Sequence, residues 1–406
     1  MILMKILYFE LRKEFIRKAF VYIFIALTAV NLFWLEWDYR TNAGFTEDFV
    51  KIHASEKEIS YYEELHQRLD GTLDAENVSY VSDEYQKYHT LVSGEFSTEY
   101  DETMHTGYVF GDYSLLYVQF YTPIKYLVEY KKTNDTLVEA ASDNVLFFAE
   151  KKNAYEVEKN TYIVDHYANR NPLIFYETSG WKNLFSYDKS DLFILVLLIV
   201  GIIPSFFKEK KSGMETIQLT SVRGRKMYIP TKLMAHVTVA IFLELWFAVQ
   251  NYLMFGMQYG LEGPKMKLYS LVDYQYTPFN VSVMTFYGMV VLFRCIGFAF
   301  IAIILTCIAR LIKNIYAIFL IMIGYVGCFL YFSGFCNGST VLERTVSLLS
   351  PFSLLKIGEI AKSLEDLKIF GNFFPFHSCL IGTQAIMIVL LFVGFYLVEK
   401  KGKMFR

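Results

Sequence analysis

Two ionisable side chains stand where ionisation is costly: Glu244 in VAIFLELWFAVQNYL and Arg294 in MVVLFRCIGFAF. A charge at bilayer depth faces the protein interior or a water-filled path, and is commonly paired. Glu244 lies about eleven residues from one end of its apolar run, and Arg294 about fifteen from the matching end of the next. At 1.5 Å per residue the depths differ by roughly 6 Å, which an arginine side chain can cover. The pair can fasten two helices together, or it can line and gate a path; both readings stand at this point. His236, Gln250 and Asn251 share the helix of Glu244 and extend a polar face along it.

Other chemistry is excluded more readily. No GxxxxGK[ST] phosphate loop, HExxH or GxSxG motif occurs, so the chain has no nucleotide or hydrolase signature of its own. The five cysteines (Cys295, Cys307, Cys328, Cys336, Cys379) form no CxxC and no Cys/His set at zinc spacing. Seven histidines are scattered, five of them between His53 and His166. The chain is expected to be no enzyme by itself, with no catalytic, cofactor-binding or metal-ligating residue. Its basic stretches flank apolar runs and lack interleaved aromatics, so nucleic acid is not expected as a partner.

The elements that must hold Glu244 and Arg294 follow from composition. The chain is 54% hydrophobic and only 20% charged, whereas a soluble domain is nearer a quarter charged. About 20 mostly apolar residues cross a bilayer, and six stretches qualify: 19–37, 190–208, 232–256, 283–310, 315–335 and 380–398. The expected fold is thus membrane all-α, with six transmembrane helices. Lys5, Arg12, Lys13, Arg17 and Lys18, the cluster Lys208–Lys232, Arg310, Lys313, and Lys400–Arg406 all fall on one face. The positive-inside rule makes that face cytoplasmic, with both termini and the tail 399–406 on it. The first span reads as a retained anchor, with Trp34 and Trp37 at the outer interface.

Residues 1–18 place Leu3, Ile6, Leu7, Leu11 and Phe15 on one helical face, the pattern of an interfacial helix. Residues 38–189 form an outer domain with about 27 acids and about 14 bases. Its excess acid either attracts a cationic substrate or keeps an exposed surface soluble. Helical periodicity shows in 46–70, 82–92 and 135–151, and alternation around Tyr108–Tyr121 allows strands, so the domain is expected to be α-rich or α+β. Residues 336–379 are semi-apolar, broken at Pro351, and suited to packing on or dipping into the outer leaflet. Cys336 and Cys379 bracket that segment, as two free thiols or as a disulfide.

Between the second and third spans lies the segment 209–231, within SFFKEKKSGMETIQLTSVRGRKMYIPTK. Glu209, Gly213, Ile217 with Leu219, Thr220, Arg223 or Arg225, and Lys232 follow one another in the order seen in bacterial ABC-2 type permeases, which the chain resembles. It departs from that pattern at Met214, where Thr is common, and at Ser221, where Pro is common. The plan of an interfacial helix, six spans, a large outer domain after the first span and LLSPFSLL before the last is similar too.

The resemblance implies a subunit of an ABC exporter in a bacterial plasma membrane. It implies docking of a separate ATPase subunit that holds ATP and Mg, with Met214, Ile217 and Leu219 as apolar contacts and Glu209, Glu215 and the basic residues as a rim. A second permease chain, identical or different, and membrane lipid complete the partners. The substrate implied is amphipathic, a peptide first and a lipid or small drug second. Cation efflux, through Glu244 and the acidic domain, and a non-transporting sensor are the rival readings.

Overall fold

A computed structural model describes residues 2–41, 51–92, 100–220, 222–312 and 341–404, with isolated positions between 316 and 327. Helix α1 (Ile2–Phe15) is followed by α2 (Lys18–Thr41). The next domain holds α3 (Glu56–Leu69), α4 (Ala75–Val92), α5 (Val109–Leu115), α6 (Thr122–Glu150) and α7 (Ala154–Tyr167). A capping box starts α3: Ser55 Oγ accepts from the Glu58 N–H at 3.2 Å, and Glu58 Oε2 accepts from the Ser55 N–H at 2.6 Å. Then come α8 (Ser179–Ser186), α9 (Lys189–Lys211), α10 (Met214–Thr220), α11 (Val222–Gln258) and α12 (Val283–Leu311). The last described part holds α13 (Val341–Leu349), α14 (Ile357–Ile360) and α15 (Phe376–Met404). Strands occur only as two short antiparallel pairs among the described residues, β1 (Gly71–Thr72) with β2 (Ile174–Phe175) and β3 (Asp366–Ile369) with β4 (Asn372–Pro375).

Among the described residues, five helical stretches are long and apolar enough to cross a membrane: Lys18–Thr41, Ser179–Lys211, Met227–Gln258, Val283–Leu311 and Phe376–Gly394. The protein is a mostly helical, multi-pass membrane protein. The fifth expected span, 315–335, lies largely outside the described residues. Helix α9 is the hub, with Ile194, Leu197, Leu198, Ile202, Ile203 and Phe206 packed against α1, α11 and α12. Two thirds of its apolar window is buried, against 17% for α2 and for α15. Those two helices therefore turn most of their apolar surface outward, as a bilayer requires.

The stretch Tyr108–Tyr121, where alternation allowed strands, is helical: α5 runs through a π turn (Leu116–Tyr121) into α6. The strand preference of Tyr, Val and Phe is overridden because their four-residue spacing buries Leu116 and Phe120 and stacks the rings of Tyr113, Tyr117 and Tyr121. The domain stands on the connection between α11 and α12. Tyr126 donates to the Tyr269 carbonyl at 2.8 Å and Tyr130 to the Gln275 carbonyl at 3.2 Å. Arg170, buried, donates to Thr277 O at 2.8 Å and sits over the rings of Tyr167 and Tyr269.

The segment before α15 joins the same end of the bundle, where the Phe373 N–H donates to Glu158 Oε2 at 2.8 Å. Part of it dips inward: Pro351, Phe352, Leu354 and Leu355 are buried, and a Cβ on Gly297 would come within 2.8 Å of Leu355 Cδ2. Gly297 lies about fourteen residues into α12, roughly 21 Å along its axis. The short 3-10 turn Pro351–Leu354 survives at that depth because it is buried in protein and partnered. Gln384 Nε2 donates to the carbonyls of Leu348 and Ser350, at 2.7 and 3.0 Å.

Candidate functional site

At the end of the bundle away from the large domain, α1 lies with its acidic side inward. Glu10, Glu14 and Phe15 are buried, while Met4, Tyr8, Phe9 and Ile16 are exposed. That is the reverse of a helix lying on a soluble core, and it suits an apolar surface facing lipid. Lys232 of α11 donates to Glu14 Oε1 at 2.7 Å and lies 2.9 Å from Glu209 Oε2 on α9. Tyr228 donates to the same Glu209 oxygen at 2.6 Å, and Lys13 pairs with Glu209 Oε1 and, at 2.9 Å, with Glu10. Glu10, Glu14 and Glu209 offer oxygens close enough together to ligate a metal ion, but the ammonium groups of Lys13 and Lys232 take that place. Burial alone would lift the pKa of Glu14, yet His236 and Lys232 outweigh it and hold the carboxyl well below its usual range.

His236 closes this network. Thr306 gives its one hydroxyl proton to the Ala302 carbonyl at 2.6 Å, so the imidazole Nδ1, 2.7 Å away, must donate to Thr306 Oγ1. Its Nε2 then meets Glu14 Oε2 at 2.8 Å. A hydrogen bond there needs one further proton, shared between imidazole and carboxylate.

Helix α10 projects from this base. Gly213, with φ +72, makes the turn between α9 and α10, a conformation that any side chain would strain. Glu215 is buried and paired with Arg310 of α12. Met214 and Ile217 point outward, Ile217 at 70% exposure. Thr220 caps locally onto the Ile217 carbonyl at 2.8 Å. The side chains of Leu219, Arg223 and Arg225 lie outside the described residues. The expected rim is corrected here: Glu209, Glu215 and Lys232 are buried, because Glu209 and Lys232 are each other's charge partner and Glu215 is held by Arg310. A cavity of about 400 Å³ opens beside Met214, bordered by Lys13, Arg17, Lys208 and Lys211.

Deeper in the bundle Arg294 does meet Glu244, with Nε donating to Oε1 at 2.8 Å. The same guanidinium also donates to Asp191 Oδ1 on α9. Two carboxylates thus share one arginine, and Asp191 Oδ2 and Glu244 Oε2 are buried with no hydrogen-bond partner. Further along, Asn31 of α2 donates to Asn251 at 2.9 Å and accepts from Tyr187 at 2.8 Å, while Gln250 donates to the Thr28 carbonyl at 3.0 Å. Lys232, His236, Glu244, Gln250 and Asn251 are all buried. They form a polar seam on α11 of roughly 28 Å, close to the thickness of a bilayer core. Ala240 and Phe247, also buried, interrupt it.

Sequence reading missed Asp191, which sat at the assumed edge of its span, and it missed Glu10 and Glu14. A signal for the latter existed: Leu3, Leu7, Glu10 and Glu14 follow the 3–4 spacing of one helical face. Of the expected pair Cys336 and Cys379, Cys379 is half-buried in α15 and Cys336 lies outside the described residues. No family model, curated protein or solved structure matches the chain.

Proposed function

We propose that this chain is the membrane-spanning permease subunit of an ABC-2 type exporter, using ATP held by a separate ATPase subunit. One observation carries the reading. The short helix α10 exposes Met214 and Ile217, while its base is tied into three spans through Glu209–Lys232 and Glu215–Arg310. A partner pressing on α10 would move α9, α11 and α12 together, which is what a transmission element must do. The basic border of the cavity beside Met214 suits an acidic rim on that partner. In this reading the α1 end is cytoplasmic, the large domain is outside, two permease chains pair, and the substrate is an amphipathic peptide.

The test is purification of the full-length protein from its own membrane in mild detergent. A stoichiometric second chain that binds and hydrolyses ATP is expected, and Ile217→Asp and Gly213→Asp should each release it. Failure to find such a chain, or its retention by both variants, overturns the reading. A second reading, movement of protons or small cations, is favoured by the two unpartnered oxygens of Asp191 and Glu244. Under it, Glu244→Gln removes ion-stimulated transport; unchanged transport rejects it.

A further inference from the structure

Asp191 of α9 and Glu244 of α11 both accept from Arg294 of α12. Asp191 is 0% exposed and Glu244 1%. The donors are adjacent nitrogens of one guanidinium, Nη2 and Nε, so two carboxyls stand close together beside a single cation. Asp191 Oδ2 and Glu244 Oε2 are buried, and among the described residues neither has a hydrogen-bond partner. Two ionised carboxylates away from water repel each other, and a proton on one of them removes that repulsion.

Among the described residues no second cation supplies the missing charge. Lys356, in the segment before α15, reaches Asp191 only through its field and is paired with Asp188. Lys189 is paired with Asp38 of α2. His236 lies about two turns back along α11, held by Glu14 and Thr306. The neutral neighbours are engaged as well: the Tyr287 hydroxyl donates to the Ala248 carbonyl and the Tyr187 hydroxyl to Asn31 Oδ1, both at 2.8 Å. Cys295, next to Arg294 in the chain, is only a weak donor. A metal ion does not fit either. Among the described residues these carboxyls gather no third ligand at metal-binding spacing, and a guanidinium already stands between them.

The polar approach to the pair lies at the end of the bundle that carries the large domain. Asp188, with Asp38, Tyr187 and Lys189, borders a cavity of about 380 Å³ there. Asp191 follows Asp188 by less than one turn, roughly 4.5 Å along the axis. Ser190 and Asn251 are polar neighbours on the same stretch, with Asn251 Nδ2 donating to Ser190 Oγ at 3.2 Å. Toward the α1 end the surroundings change: Leu198, Ile202, Leu243, Ile301 and Leu305 close the bundle as one buried apolar cluster. A proton thus meets a polar approach from one end and a dry barrier at the other.

We propose that Asp191 and Glu244 form a single-proton site, occupied at neutral pH and filled from the large-domain end of the bundle. The proton belongs to the pair and not to either residue, and the one charge that the pair keeps matches Arg294. Occupancy deepens the second reading above, with the proton as its ion, yet it requires no transport. A chain that moves no ions can still hold this proton, and a chain that moves ions can lack it.

Infrared difference spectra of the full-length protein in detergent at neutral pH provide the test. A carboxylic-acid carbonyl band is expected in wild type and absent from both Glu244→Gln and Asp191→Asn, because either variant leaves one carboxyl beside one arginine, where it ionises. The double variant should lose no more of the band than each single one. Melting curves identify any variant that fails to fold. Wild-type protein, which needs no variant, is also sealed into liposomes with the large domain outward. Raising the external pH to alkaline values should erase the band, and raising only the internal pH should leave it. A band missing from both wild-type-minus-variant differences, a band lost in only one folded variant, or a band that follows the internal pH would each overturn the proposal.

Discussion

At the α1 end of the bundle, Glu14 and Glu209 have both oxygens engaged, by Lys232, His236, Lys13 and Tyr228. About two turns past His236 along α11, Asp191 and Glu244 share Arg294 and leave two oxygens without partners. Both clusters use α9 and α11, and both are buried. In the first, both oxygens of Glu14 and of Glu209 meet a partner, the His236 contact with its shared proton included, so its charges fasten α1 to the spans. The second carries one negative charge in excess of its arginine, and a proton on either carboxyl would supply the donor that the free oxygens lack. Polar networks at membrane depth rigidify when complete and become responsive when incomplete.

The comparison is sharpened most by Lys232→Met. It leaves Glu14 and Glu209 buried beside each other without their common cation, and removing one partner of a buried pair costs about 3–5 kcal/mol. Denaturant titration in mixed micelles should show that loss; a change under about 1 kcal/mol would mean the cluster is not the fastening described. Next comes Thr306→Val, which strands the Nδ1–H of His236 and should cost about 1–3 kcal/mol by the same measurement. Glu244→Gln has a smaller expected effect on stability, within about 1 kcal/mol and in either direction, because it removes the surplus charge while its amide still accepts from Arg294. A large loss would show the second cluster to be as saturated as the first. Least of all, Ile217→Asp should change stability by no more than about 0.5 kcal/mol, since the side chain is exposed. Its effect belongs to partner binding alone.

The large domain tells a similar story of local signal and distant choice. The helix expected over 46–70 is α-helical only from Glu56, where Ser55 and Glu58 form a capping box that periodicity alone does not register, while Gly71, with φ +106, ends it where its type allows. The helix through Tyr108–Tyr121 was not legible, because aromatic strand preference is local while the contacts that overrule it come from α3 and α4. The pairing of Glu244 with Arg294 could be read from depth along two apolar runs. The third member, Asp191, could not, because a carboxylate near the end of a span reads as an interfacial residue unless a partner is seen.

By itself the sequence determined that the chain crosses a membrane several times and where most crossings lie, since runs of about 20 apolar residues cannot rest in water. It also determined the charged segment between the second and third spans, with a glycine at its turn. Tertiary structure alone decided that Glu209 and Lys232 of that segment are interior while Met214 and Ile217 face out. It likewise decided that α1 turns its acids inward, and that His66 meets Glu177 at a cavity's edge. Periodicity reports which side of a helix avoids water. It does not report which charge, some 200 residues away, replaces that water, and the ion pairs Lys232–Glu14 and Lys13–Glu209 are choices of that second kind.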